Sequence, residues 1–440
     1  MTTGSLSTSD TYWTKIPAWE TVSHATFCDS AWQERNCITN AQQLTSVLKL
    51  PATDYLHGLV EGVRKSRMAV RMTPNTVSLI NWEEPETDPI RRQFLPHITE
   101  FGRQHPLLAD DALGEQSDEI ADGVVHRYPD RALFLATDKC PVYCRFCTRS
   151  YSVGGDTPEL TKVHFQPTET RWHDALQAIA ATPAIRDVVL SGGDALRLKP
   201  SHLKRLVTAL FEIEHVRSIR VATKGLSVLP MRFIADDEWA STFCALVREG
   251  RDRGVHVVLH THINHPAEVT KYTQAAAQRL FAEGVTIRNQ LVLLAGVNDD
   301  ADILKQHFRL LGDLHIDGYY AYVCDPVRGT DQMRTSVGDA CTLETKSRGF
   351  TSGFSTPLFV VDLPGGGGKR DVHSFVHYDR QGGLAFYESP SVKPGRLFVY
   401  PDPLHRLSPC VQRDWLDPRK AASLLATATA AARRAARHQS

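Results

Sequence analysis

Between residues 131 and 325 short apolar runs alternate with amphipathic stretches. The runs are RALFLAT (131–137), RDVVLSGGD (186–194), SIRVATKG (218–225), VHVVLHTHI (255–263), TIRNQLVLLAG (286–296) and DGYYAYVCD (317–325). Their β-branched and aromatic content marks them as strands. Between them RWHDALQAIAA, SHLKRLVTALFEI and YTQAAAQRLFAEG carry apolar residues at helical spacing. Such alternation predicts βα units with parallel strands, because right-handed crossover helices return the chain to the same edge of the sheet. The predicted fold class is α/β, a complete or partial α/β barrel in which reactive groups collect at the C-terminal strand ends.

The flanks follow other patterns. Residues 1–115 read as helical and connecting, and SAWQERNCITNAQQLTSVLKL has a capping start at Thr39 with Gln42 three residues on. A further β run, PLFVVDLPGGGGKR, covers 357–370. The Ala- and Arg-rich tail RKAASLLATATAAARRAARHQS reads either as a helix with a basic face or as a solvated end. No repeat of 20–50 residues is visible. Four segments are expected: a helical region at 1–115, the βα segment at 116–340, a lysine-bearing segment at 341–400, and a tail at 401–440.

Bulk chemistry narrows little. The 440 residues balance 50 basic against 50 acidic side chains, so no nucleic-acid or membrane partner is expected from net charge. The opening MTTGSLSTSDTYWTK lacks the basic start and apolar run of a signal peptide, and no stretch approaches the roughly 18–20 apolar residues of a membrane span. A cytoplasmic protein is expected. In a reducing compartment clustered cysteines indicate metal binding or catalysis.

Three of the nine cysteines, Cys140, Cys144 and Cys147, fall in TDKCPVYCRFCTRSY, directly after the first predicted strand. Three thiolates are one short of a closed zinc site or a fully ligated iron–sulfur cluster. No second CxxC pair supplies a fourth ligand. The C-x3-C-x2-C spacing on a loop after a βα strand resembles the signature of the radical S-adenosylmethionine superfamily. That resemblance implies a [4Fe–4S] cluster with one iron left open for S-adenosylmethionine, and an external electron donor of the flavodoxin or ferredoxin type. The second strand ends in LSGGDAL, where Gly192 and Gly193 permit close backbone approach and Asp194 can accept from an amine. By itself this is equally a tight βα turn; by resemblance it is the superfamily's glycine motif. HTHINHP gathers three histidines at no known zinc spacing, so His262 and Asn264, with Gln290 of IRNQLVLL, are instead placed beside the cofactor.

Lys369 ends a four-glycine turn. A phosphate-binding loop needs G-x4-G-K-[ST], but Leu363 and Arg370 stand at the diagnostic positions. What remains is a lysine suited to a Schiff base with pyridoxal phosphate, or an incidental lysine on a surface loop. The ordered set HRYPDR, YCRFCTR, LSGGDAL, THINHP, NQLVLLAGVND, YYAYVCD, TSGF and FVVDLPGGGGK resembles the lysine 2,3-aminomutase family over most of residues 30–390.

The resemblance implies a partial (β/α)6-type radical S-adenosylmethionine barrel, with a helical N-terminal region and a C-terminal pyridoxal-lysine segment. It also implies a 1,2-amino shift started by a deoxyadenosyl radical, on an amino-acid substrate carried by pyridoxal 5'-phosphate at Lys369. Arg149 then pairs with the substrate α-carboxylate, Arg127 and Arg131 anchor the cofactor phosphate, and Asp325 with Asp362 receives a distal cation. Those two aspartates favour L-lysine or L-arginine over glutamate.

Two departures stand out: PVRGTDQMRTS after Asp325, expected at the pocket wall, and no C-terminal cysteine cluster like the intersubunit zinc site of the clostridial-type enzymes. The first leaves arginine 2,3-aminomutase, an activity of antibiotic pathways, beside the lysine enzyme. A homo-oligomer is expected. The alternatives are an aminomutase acting on a protein lysine and a non-catalytic iron–sulfur protein.

Overall fold

The computed structural model describes residues 11–49, 53–234 and 238–439. Its centre is a ten-stranded sheet whose spatial order is the order of the chain. The strands are β1 (Glu119–Ala121), β2 (Val124–Tyr128), β3 (Arg131–Thr137), β4 (Asp187–Gly192), β5 (Ser218–Ala222), β6 (His256–Thr261), β7 (Thr286–Leu293), β8 (Ile316–Val323), β9 (Leu358–Leu363) and β10 (Gly368–Asp371). From β3 to β9 every neighbouring pair is parallel, whereas β1–β2–β3 and β9–β10 are antiparallel. No hydrogen-bonded pairing joins β1 to β10, so the sheet is open at its ends among the described residues.

Each parallel step is bridged by a helix, namely Glu169–Ala180, Pro200–Phe211, Glu238–Asp252, Lys271–Ala282, Ala301–Asp313 and Val337–Ser347. The mixed α/β character and the six predicted strands are therefore present. Local chemistry starts these helices: Thr168, Thr270, Asp300 and Ser336 accept first-turn N–H groups through their side chains. In β7 the odd positions Ile287, Asn289, Leu291 and Leu293 are buried, while Arg288, Gln290 and Val292 are only partly so. That two-residue period leaves Gln290 and Val292 facing the cavity described below.

Residues 11–100 are largely short helices, with one correction to the predicted cap. The N-cap of Ala41–Leu48 is Asn40, which accepts from Gln43 N, and Thr39 instead donates its N–H and hydroxyl to Gln43 Oε1. Tyr12, Trp13 and Phe27 share one hydrophobic core with Val188, Ile219 and Leu259 of the sheet. Thr73 and Asn75 donate to the carbonyls of Val228 and Ser227 at 2.6 and 3.2 Å, fastening this region to the βα segment.

After β10 a second, antiparallel sheet of β11 (His377–Asp379), β12 (Leu384–Glu388) and β13 (Leu397–Pro401) covers one end of the large sheet. The tail forms a helix over Pro418–Gln439 that buries Ala428 and Ala432 against Leu384, Phe386 and Trp415. Among the described residues no helix is long and apolar enough to cross a membrane.

Candidate active site

One cavity of about 350 Å³ is lined by side chains from β2 through β10 and from the loops at the C-terminal ends of the strands. Its size suits a small-molecule site. Of the residues singled out in the sequence, Cys140, Cys144, Cys147, Arg127, Arg131, Arg149, Gly192, Gly193, Asp194, His262, Gln290, Asp325, Asp362 and Lys369 all line it.

Asn264 does not line it. It is fully buried, donates to Gln93 Oε1 at 2.9 Å and accepts from Val292 N at 2.9 Å, so both ends of its amide are spent holding strand to loop. The PVRGTDQMRTS stretch is a second correction, because no residue of 326–336 lines the cavity. Asp331 and Arg334 are paired and fully buried there, and Asp331 also accepts from Leu404 N at 3.1 Å. This stretch is tied into the β13 side of the fold and cannot select a substrate by contact.

The cysteine loop is pinned from outside: Tyr143 N donates to Arg71 O and Arg145 N to Gln93 O, each at 3.0 Å. Burial raises the three thiol pKa values, that of Cys144 to about 12, and neighbouring thiols add to the rise at Cys140 and Cys144. Thiols in that state lose their protons on coordinating a metal cation. Among the described residues no three His, Cys, Asp or Glu side chains form a ready-made set for a single metal ion. The three thiols line one cavity, with buried Val142 and Phe146 between them in the loop.

The glycines after β4 serve this loop directly. A Cβ on Gly192 would come 2.1 Å from Thr137 O, and one on Gly193 would come 2.4 Å from Lys139 O. Their smallness therefore lets the β4 turn seat against the backbone leading into Cys140. Asp194 beside them is spent on backbone, accepting from Leu196 N and Lys224 N at 2.8 Å each.

Histidines on this wall are neutral. Burial lowers the pKa of His260 and of His262 to about 3, and their Nε2 atoms have no protein partner. His262 Nε2 is thus an orphaned buried polar atom in a residue that lines the cavity. Gln290 donates to His260 Nδ1 at 2.9 Å and accepts from Tyr322 OH at 2.7 Å. His265 caps the turn at Pro266–Glu268 and takes no part.

The opposite wall carries charge. Lys369 and Asp362 are cross-strand partners in the β9–β10 hairpin, with Nζ 2.7 Å from Oδ2. The turn between them needs its glycines: Gly365, Gly366 and Gly368 all have positive φ, and a Cβ on Gly366 would meet Lys393 Nζ at 2.5 Å. Burial disfavours the Lys369 ammonium, but Asp362 outweighs it and holds the lysine pKa well above its ordinary value. Asp325 accepts from the Thr148 hydroxyl, and burial together with the Asp362 charge pushes its pKa up to about 7. Oδ1 of each aspartate lacks a hydrogen-bond partner.

The arginines are already engaged. Arg149 gives Nε and Nη2 to Glu115 at 2.9 and 2.8 Å. Arg127 bonds Asp118 at 2.8 Å and Leu113 O at 2.7 Å, while Arg131 lies over the Tyr128 ring and bonds Asp130.

Several participants escaped the sequence reading. Glu115 and Tyr151 are one network with Arg149, Thr148 reaches Asp325, and Tyr128 donates to no motif yet bonds Lys369 N at 3.0 Å as acceptor. Lys224, at the end of β5, pairs with buried Glu268 at 2.6 Å and donates to His262 O. A lysine closing a strand was a readable signal there; Glu115 had none nearby.

Comparison with known proteins agrees with this assembly. The chain is 37% identical over 351 residues to the L-lysine 2,3-aminomutase of Clostridium subterminale, covering 80% of this chain and 79% of that one. The chain belongs to the lysine 2,3-aminomutase family. The L-lysine 2,3-aminomutase of Bacillus subtilis is 34% identical over 363 residues, covering 81% of this chain and 71% of its own. A member named glutamate 2,3-aminomutase, from Clostridioides difficile, is 33% identical over 339 residues, covering 77% and 75%. No family model matches the chain. As a lysine 2,3-aminomutase family member, the protein is an aminomutase, an enzyme of the isomerase class.

Proposed function

We propose that this aminomutase moves the α-amino group of a basic L-amino acid, L-lysine or L-arginine, to the β-carbon. The reading is carried by the lining of the cavity, which combines the Arg149 guanidinium with the carboxylates of Asp325 and Asp362. A guanidinium suits an α-carboxylate, and paired aspartates suit a distal ammonium or guanidinium. A substrate with a distal carboxylate would meet repulsion from both aspartates, which disfavours glutamate even though one relative bears that name.

The residues fit three cofactors. Cys140, Cys144 and Cys147 would hold a [4Fe–4S] cluster, and Gly192, Gly193, His262 and Gln290 would flank S-adenosylmethionine. Lys369 would bind pyridoxal phosphate, with Arg127 and Arg131 near its phosphate. When bound, these groups supply the radical that abstracts hydrogen and the carbonyl that carries the migrating nitrogen. The sheet is read as a partial (β/α)6-type barrel around them, fed by an external electron donor.

The chain's own share is positional. Asp362 Oδ2, 2.7 Å from Lys369 Nζ, fixes the lysine at the cavity wall and stabilises its ammonium form. Neutral His260 and His262 add no competing charge beside the cysteines. The apolar Val142 and Phe146 exclude water from the loop.

The deciding experiment incubates anaerobically reconstituted enzyme with S-adenosylmethionine, dithionite and each amino acid in turn, and separates products by mass-resolved chromatography. A β-amino isomer of lysine or arginine is expected. A β-isomer from glutamate alone would reject the assignment of Asp325 and Asp362.

A further inference from the structure

We propose that Glu115 is the positioning residue for the substrate carboxylate, fixing Arg149 side-on so that only its far edge faces the cavity. The inference rests on the aminomutase reading above, in which Arg149 takes the α-carboxylate.

A guanidinium has five N–H groups. Glu115 takes the Nε–H and one Nη2–H of Arg149, at 2.9 and 2.8 Å, the side-on bidentate geometry. The two N–H groups of Nη1 and the second of Nη2 remain, and among the described residues none is bonded to a protein acceptor. The second N–H of Nη2 and one N–H of Nη1 form the end-on edge, onto which a second carboxylate can dock bidentately. Exposure separates the two roles. Both line the cavity, but the Glu115 side chain is 4% exposed and that of Arg149 24%, so the acid is the more deeply held partner.

Glu115 is itself held. Tyr151 OH donates to Oε2 at 3.1 Å, and Glu115 N donates to Asp111 Oδ1 at 2.9 Å. A buried carboxylate stripped of its cation costs several kcal/mol, which keeps the pair intact when substrate enters. The arrangement also prevents a misfire. Asp325 and Asp362 line the same cavity and each has an unpartnered Oδ1. An unanchored Arg149 would find these carboxylates and neutralise the cation-binding end. Glu115 thus keeps Arg149 from pairing with Asp325 and Asp362.

The test compares wild type with Glu115→Gln, Glu115→Asp and Tyr151→Phe. For each variant, binding of the substrate and of its α-carboxamide is measured by calorimetry, and KM and kcat by product formation. For Glu115→Gln, substrate binding and KM are expected to weaken roughly 10- to 100-fold, with kcat within about threefold of wild type. The preference for carboxylate over carboxamide falls with it by about tenfold or more. Glu115→Asp, which keeps the charge, recovers most of that preference, and Tyr151→Phe loses only about two- to fivefold.

An unchanged carboxylate preference in Glu115→Gln, with only a lower melting temperature or a uniform loss for both ligands, would overturn the proposal. If Glu115→Gln fails to fold, an unaltered preference in Tyr151→Phe overturns it instead. A wild-type enzyme that forms its β-isomer but ignores the carboxylate would remove Arg149 from that role and this inference with it. Absence of any β-isomer would overturn the aminomutase reading itself.

Discussion

The wall built from β3 to β6 and the wall built from β8 to β10 face one cavity but treat charge in opposite ways. On the first, three thiols and two histidines line or flank the space and all are held neutral: burial raises the thiol pKa values and lowers those of His260 and His262 to about 3. On the second, Lys369 and Asp362 form a cross-strand ion pair and Asp325 is poised near pH 7. The thiols and histidines of the first wall take part in no ion pair with each other, whereas its charged residues, such as Lys224 with Glu268 and Arg149 with Glu115, are already paired. The charged wall holds its own lysine where a substrate cation would later lie, so it is filled before use and must exchange partners during it. One wall waits for charge and the other stores it.

If the walls are independent, each can be lost alone. Lys369→Ala should abolish the visible absorbance of bound pyridoxal phosphate and lower turnover by roughly a thousandfold or more, while iron content after reconstitution stays at the wild-type level. Cys144→Ala should do the reverse, losing iron while the lysine still binds the aldehyde. Loss of both signals in either variant would show that the walls fold as one unit.

The neutral wall was far more legible than the charged one. Cys140, Cys144 and Cys147 sit within eight residues, and LSGGD follows one βα unit later, so local spacing carried the chemistry. The glycines there were read as room for a ligand; their first duty is to seat β4 against the cysteine loop, a contact spacing cannot reveal. On the charged wall Asp325, Asp362 and Lys369 were found through family motifs, because a hairpin register that sets Lys369 opposite Asp362 is visible only once β9 and β10 pair. Glu115 lies 34 positions from Arg149 and carried no periodic signal. PVRGTDQMRTS misled for the converse reason: polar residues near a site residue were taken as its wall, whereas Asp331 and Arg334 satisfy each other in the core. The parallel fold was legible because hydrophobic period, helix caps and strand length agree along the chain.

Truncating the charged wall should cost less than removing Lys369. Asp362→Asn and Asp325→Asn are each expected to lower kcat/KM by about a hundredfold, mainly through KM, since each removes one member of a buried charge contact. Iron content should not change. An uncharged analogue such as norleucine should lose little in either variant; equal losses for norleucine and lysine would make the aspartates structural.

The pH profile sharpens the same contrast. Asp325 titrates near 7 because burial and Asp362 raise its pKa, so its carboxyl must release a proton before pairing with a cation. Substrate affinity should therefore rise with pH, by up to about tenfold per unit below pH 7, and level off above it. Asp325→Asn should erase that limb. The histidines of the neutral wall, already uncharged above about pH 3, should contribute nothing to it.

The smallest predicted effect comes from a side chain that links the two walls. Thr148 follows Cys147 in the cysteine loop, and its hydroxyl donates to Asp325 Oδ2 after β8. A hydrogen bond to a carboxylate favours its ionised form, so Thr148 works against the burial that raises the Asp325 pKa. Thr148→Val keeps the shape and removes the donor. The midpoint of the substrate-affinity profile should then move up by about one pH unit, worth about 1.4 kcal/mol. Affinity at pH 7 should fall about fivefold and converge with wild type near pH 9, since both enzymes are then ionised at Asp325. A pH-independent loss would mean that Thr148 acts through packing of the cysteine loop, and iron content would fall with it. An unmoved midpoint with full iron content would mean that Asp325 is tuned by Asp362 alone, leaving the two walls electrostatically separate.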